Sequence, residues 1–422
     1  MKRFIIPLVT VAVVASLIFA GCARPAPTPT PAPAPEEAET AADVPELQEY
    51  IEKGLIDPDM PMNPYAGLCI KPDGSPFRFA IVYLFTRVDW TTNQYGFLKS
   101  YLERGGAEAT HFDPDADIEK QVDFIEDQIT VGRPDGILIH AVEEFSVAPV
   151  LDKAIESGIP CFGMDFIIPS ENPVPCGYHD FDGVKGSNVV GEFFAKTAEE
   201  KGVQINIFEV WGEMATTSAQ NRHTGFHAVV DQSPLITVIE SGNSHWSDEI
   251  AFDFVTDAFT AHPELNGVYV HGGGSTGTVE AIRAMGKLVP PDDPKHVYVA
   301  TNDIDAVVVE AIDEGIMDGA GSHGSWDICD VGLKLMLTGV VLGQPVPAEV
   351  AVPMYFVTKE RMWTPEGTLG GCPIYPLMPP GQWDTWPVLD WSTPGSLLVT
   401  PQNEPWQMET PTVELRNQYQ GY

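Results

Sequence analysis

Side chains able to stack or hydrogen-bond gather at one kind of place in this 422-residue chain, directly behind short apolar runs. Arg87, Asp89, Trp90 and Asn93 follow the run 79–85, His140 closes 136–140, and Asp165 ends 160–165. Arg222 lies beyond Trp211, and Trp246, Ser275, Asn302, Asp303 and His323 follow later in the chain. Indoles offer flat apolar faces, carboxylates and Asn accept hydrogen bonds, and Arg donates a planar fork. That combination suits a polyhydroxylated ligand, whose C–H faces stack and whose hydroxyls need partners in fixed directions. Singly, each residue has a plainer reading: His140 as a packed strand-end histidine, or Trp211 as core.

A second constellation points to different chemistry. Gly273-Gly-Ser275-Thr-Gly277 has the form G-x-S-x-G between an apolar run and a helical segment. Asp303 and His323 then follow in the Ser, Asp, His order of an α/β-hydrolase. The interval to His323 is short for that fold and no separate upstream oxyanion loop is evident, so hydrolysis stays the secondary reading. The loop lacks the Lys of a Walker A phosphate site. The cysteines form no CxxC or Cys/His zinc spacing, so neither a metal nor a cofactor is expected.

The elements that must position these residues follow an α/β grammar. Near-continuous apolar runs at 79–85, 136–140, 160–165, 205–211, 267–271 and 296–301 alternate with segments of helical period such as 150–157, 249–260, 278–285 and 306–314. The pattern predicts parallel strands covered on both faces by helices, with right-handed crossovers. The length fits two such sheets. Ligands of open doubly wound sheets collect outside the carboxyl ends of the strands, which is where the polar residues lie.

The chain ends carry other information. Met1-Lys2-Arg3, an apolar run to Phe19 and Ala20-Gly21-Cys22 have the order of a secretory signal, residues 1–21, that would leave Cys22 as a lipidated first residue. The Pro-rich stretch 22–45 reads as an extended tether and 46–76 as an N-terminal extension. With 60 Asp and Glu against 23 Lys and Arg, a net charge of −37 excludes nucleic acid and anionic lipid headgroups as main partners. Cys69, Cys161, Cys176, Cys329 and Cys372 remain beyond Cys22, and the pairs Cys161–Cys176 and Cys69–Cys372 are the candidate disulfides.

Four segments carry a resemblance to a known family over roughly residues 77–361: Asp135-Gly-Ile-Leu-Ile-His140, Gly158-Ile-Pro-Cys-Phe-Gly-Met-Asp165, Thr217-Ser-Ala-Gln-Asn-Arg-His-Thr-Gly-Phe226 and Ala261-His-Pro-Glu-Leu-Asn-Gly-Val268. In this order and spacing the chain resembles the type I periplasmic sugar-binding proteins, the ribose-binding-like group. The resemblance implies two doubly wound parallel-sheet lobes, 77–179 with 324–350 and 180–323 with 351–361. Three hinge crossings would join them near residues 180, 323 and 350, and ligand would be trapped between the lobes.

Asp165 matches that family's hydroxyl acceptor, Arg222 its Arg ahead of Gly-Phe, Trp246 its cleft aromatic, Asp303 its second-lobe carboxylate, and His323 a position usually Gln. Trp90 and Asn93 fall in the loop that supplies stacking. The chain departs from the pattern at Phe166, where Arg is common, and at Gly272, where Asn is usual, which argues against ribose itself. It also departs in a Pro- and Trp-rich extension, 362–422, expected to pack on the lobes.

The implied function is capture of a sugar-like small molecule for an ABC importer by a monomer tethered outside the cytoplasm through its lipid, with the permease subunits as partners. A nucleoside- or polyol-binding sensor of the same fold is the alternative. A LacI-like regulator is opposed by the export signal and by the absence of a basic helix-turn-helix segment ahead of Phe79.

Overall fold

A computed structural model describes residues 40–179, 185–352, 354–364 and 410–420. Strands alternate with helices from β1 (Arg78–Val82) and α2 (Asp89–Arg104), after a short α1 (Gln48–Glu52). Next come β2 (Glu108–Phe112), α3 (Ile118–Asp127), β3 (Gly136–Ile139), α4 (Glu144–Glu156), β4 (Cys161–Met164) and β5 (Cys176–His179). The second half holds α5 (Lys185–Lys201), β6 (Ile205–Trp211), α6 (Thr217–Val230), β7 (Ile236–Asn243), α7 (Asp248–Ala261), β8 (Gly267–Val270), α8 (Ser275–Ala284), β9 (Tyr298–Asp303), α9 (Ala306–Glu314) and β10 (Gly319–His323). The chain continues through α10 (Ser325–Met336), β11 (Glu349–Val352) and β12 (Phe356–Thr358) to α11 (Val413–Gln420).

Two six-stranded sheets result, ordered β11-β5-β4-β3-β1-β2 and β12-β10-β9-β8-β6-β7. Every pairing is parallel except β10 with β12. The central strands β3, β4 and β8 are buried at every residue, which explains their unbroken apolar sequences. The chain passes between the sheets three times: from β5 to α5, from β10 to α10, and from β11 to β12. α10 returns to the first sheet, packing on α2, β4 and β5, and is buried along its whole length. Its Lys334 is neutralised by Asp330 one turn away, Nζ to carboxylate 2.8 Å, with both side chains sealed from solvent.

The segment ahead of β1 is fastened to the first lobe: Cys69 N–H donates to the Gly105 carbonyl at 3.0 Å, and Arg104 Nη1 donates to the Met62 carbonyl at 2.8 Å. α11 closes on the same segment, where Arg416 Nη1 donates to the carbonyls of Leu68 at 2.8 Å and Ile70 at 2.6 Å. The signal segment, Cys22, the tether up to residue 39, Cys372 and residues 365–409 of the extension lie outside the described residues. No described helix is long and apolar enough to cross a membrane.

The expected Cys161–Cys176 disulfide is corrected: both thiols are free and buried. The two cysteines do begin neighbouring strands, but the register places Cys176 opposite Gly163, two residues beyond Cys161. At about 3.3 Å per residue the offset exceeds the reach of a disulfide. Cys69 is also a free, buried thiol.

Candidate ligand-binding cleft

The carboxyl ends of both sheets open on one cavity of about 510 Å³. From the first lobe it is walled by Asp89, Trp90, His140 and Asp165, and from the second by Arg222, Trp246, Ser275, Asp303 and His323. Two other residues read from the sequence lie outside this wall. Asn93 is one turn further along α2 than Trp90. Asn302 is buried beneath the cleft, where Nδ2 donates to Ser187 Oγ at 3.0 Å and Oδ1 accepts from the Tyr269 hydroxyl. Consecutive strand residues face opposite sides. With Asp303 turned into the cleft, Asn302 must turn inward.

A chain of polar contacts crosses the cavity. His323 Nδ1 is 2.8 Å from Asp303 Oδ1, and its Nε2 is 3.4 Å from Asp165 Oδ1 on the opposite lobe. The parallel register of β9 and β10 slips between Ala320 and His323, which brings His323 opposite Asp303. Arg222 on α6 reaches Asp303 Oδ1 with Nη2 at 2.9 Å and donates Nη1 to the His271 carbonyl. Its guanidinium also covers the Trp246 ring, 5.3 Å from the centroid. On the first lobe, His140 Nε2 is 3.3 Å from Asp165 Oδ2, and Nδ1 meets Gln94 Oε1 at 3.0 Å. Asp165 takes a left-handed backbone conformation, φ 71°, a strained state of the kind that collects at ligand sites.

Electrostatics follow from this packing. Burial pushes the Asp303 carboxyl up, but the Arg222 and His323 charges beside it outweigh burial and hold it below the usual carboxylate range. Asp305, two residues on, caps α9 through the Val308 N–H at 2.9 Å, and the charges acting on it are those of other carboxylates. Burial pushes it up to about 7, with the charges of Asp303, Asp248 and Asp89 adding to the effect.

Ser275 is not poised as a nucleophile. Its Oγ donates to the Gly272 carbonyl at 2.7 Å and meets Thr301 Oγ1 at 3.1 Å, while the His323 ring faces Asp303 and Asp165. Among the described residues no imidazole stands within hydrogen-bond reach to take its proton, as a triad requires. Several polar wall residues escape a rule based on strand ends, Glu144, Thr217 and Asp305 among them. Glu144 on α4 accepts from the Thr217 hydroxyl on α6 at 2.7 Å, a bridge between lobes, and Asp305 sits in a helix cap. They come from the first turns or the caps of helices.

A family model for the periplasmic binding protein domain matches residues 79–339. The chain belongs to that family. A "D-apiose import binding protein" of Paraburkholderia graminis is 30% identical over 154 residues, 36% of this chain and 48% of the relative. A "D-ribose/D-allose-binding protein" of Pseudomonas aeruginosa is 26% identical over 197 residues, 45% of this chain and 60% of the relative. The chain thus spans about half the length of these curated relatives. A carbohydrate transporter solute binding protein from Agrobacterium radiobacter, solved in complex with D-arabinose, superposes with a TM-score of 0.60 at 20% identity, covering 69% of this chain and 97% of that one. The likeness establishes the two-lobed periplasmic binding protein fold, two parallel α/β sheets, for this chain.

Proposed function

We propose that this periplasmic binding protein works outside the cytoplasm as the capture component of an ABC importer for a sugar-like small molecule. The observation that carries the proposal is the cleft wall: the Trp90 and Trp246 indoles, the Asp165 and Asp303 carboxylates and Arg222, drawn from both lobes, around a volume within the roughly 300–1,000 Å³ of small-molecule sites. The names of the relatives, a D-apiose import binding protein and a D-ribose/D-allose-binding protein, support the same class of cargo. The ligand meets Asp165, Trp90 and His140 on the first lobe. Closure then adds Arg222, Trp246, Asp303 and His323, and the added contacts shift the population toward the closed form. The three crossings, between β5 and α5, β10 and α10, and β11 and β12, act as the hinge. Lipidation at Cys22 would hold the capture protein at the membrane beside its permease.

The test is a thermal-shift screen of the purified, ligand-free chain against aldoses, polyols, nucleosides and amino acids, with calorimetry on the hits. A saturable rise in Tm with one sugar, abolished in Asp165→Asn, is the expected result. Asn tolerates the left-handed backbone at this position, so the variant removes charge without moving the chain. A rise with nucleosides alone would replace the sugar reading, and no response to any class would overturn capture.

A further inference from the structure

Glu209, His223 and His227 converge outside the cleft, and none of them lines it. Glu209 comes from β6 and is buried, with 1% of its side chain exposed. His223 and His227 stand one turn apart on α6, so both rings leave the same face of the helix. The His223 Nδ1 lies 3.0 and 3.1 Å from the two Glu209 oxygens, His227 Nε2 lies 3.4 Å from Oε2, and one ligand atom from each residue falls within 4.8 Å of the others.

We propose that these three residues form a binding site for a divalent transition metal, with Zn²⁺ the ion best suited to it. Two imidazoles and a carboxylate are an established zinc donor set, and donors about 2.0–2.1 Å from a tetrahedral ion lie roughly 3.3 Å apart, close to the 3.0–3.4 Å between each imidazole nitrogen and Glu209. The surroundings orient the donors as metal sites require. His227 Nδ1 is held by Asp231 Oδ1 at 2.9 Å, which turns Nε2 toward Glu209. The Glu209 carboxylate is fixed from behind by His271 Nε2 at 2.9 Å, from a ring sealed from solvent. The Trp211 ring packs on His223, centroids 4.4 Å apart, and shields one side.

Three imidazoles gather on the one buried Glu209 carboxylate. The side chains of His223 and His227 keep 37% and 22% exposure, so an ion can reach both imidazoles from solvent.

The experiment uses the full chain without an affinity tag, stripped with chelator and titrated with ZnCl₂ by calorimetry, and with CoCl₂ by visible absorption. One equivalent of Zn²⁺ should bind saturably, and Co²⁺ should give the intense bands of a low-coordinate site. His223→Ala and Glu209→Gln should each weaken uptake at least tenfold. His223 is part-exposed on a helix, so its replacement by Ala preserves the fold, which the metal-free far-UV circular dichroism and Tm would verify. Absence of saturable Zn²⁺ binding, or equal binding in both variants, would overturn the site.

Discussion

The His323 imidazole lies flat on the Trp90 indole, with ring centroids 5.1 Å apart and planes 9° from parallel. The Trp90 Nε1–H also points at the His323 carbonyl, 3.3 Å away. Trp90 belongs to the first lobe, and His323 is the last residue of β10, immediately before the chain crosses back. One stacked pair therefore joins the two lobes at a crossing and forms part of the cleft wall. Trp90→Ala should remove this contact together with the face offered to ligand, weakening binding of the sugar found by screening by about 1–3 kcal/mol. Calorimetry on the folded variant checks it, and unchanged affinity would mean that ligand does not rest on this indole.

Gly272 stands two residues beyond β8, and the structure gives the reason for a glycine there. Its φ of 137° is a conformation that side-chain-bearing residues rarely adopt. A Cβ there would also collide with the Asp303 carboxylate and the Arg222 guanidinium. Gly272→Ala should force that pair apart, lowering Tm by several degrees and ligand affinity at least tenfold. Thermal unfolding and calorimetry measure the two effects; a variant with native values in both would show that the pair yields without cost.

Much of the fold was legible because central parallel strands must be apolar on both faces, and 136–140, 160–165 and 267–271 coincide closely with β3, β4 and β8. The helix expected at 306–314 matches α9. Among the strands without such a signal are β2 and β7, which lie at sheet edges with half-exposed residues, and β10, whose Gly-Ala-Gly-Ser-His carries no bulky apolar side chain. The strand-end rule likewise located residues of the cleft wall but could not separate Asp303 from its neighbour Asn302, since the phase of the strand is set by packing. Contacts made by helix first turns, as in the Glu144–Thr217 bridge, leave no sequence mark. The pairing of Glu209 with His223, 14 positions apart, is visible only once β6 and α6 are placed together.

Asp305 makes stability depend on pH in a stated direction. Its carboxyl is raised in the folded chain from the ordinary 3.8 to about 7. Its contribution is fully present below about 3.8, declines as pH rises, and is lost above about 7. Asn caps helices as well as Asp does and has no charge to bury. The Tm of Asp305→Asn relative to the unaltered chain should therefore rise between pH 4 and 7 and level off above. Melting curves across that range decide the point, and a pH-independent difference would remove Asp305 as the cause.

The buried thiols allow a final prediction, about chemical protection. Burial pushes Cys69 and Cys161 up to about 12, and Cys176 and Cys329 are raised well above the ordinary range by burial reinforced by neighbouring carboxylates. The thiolate is the reacting species, so at pH 8 these groups are both inaccessible and protonated. Iodoacetamide should leave all four unmodified in the native protein and label all four after denaturation without reductant. Mass spectrometry of the peptides reads both conditions. The second condition is the decisive one, because Cys161 and Cys176 would escape labelling there only if a disulfide joined them against the register of β4 and β5.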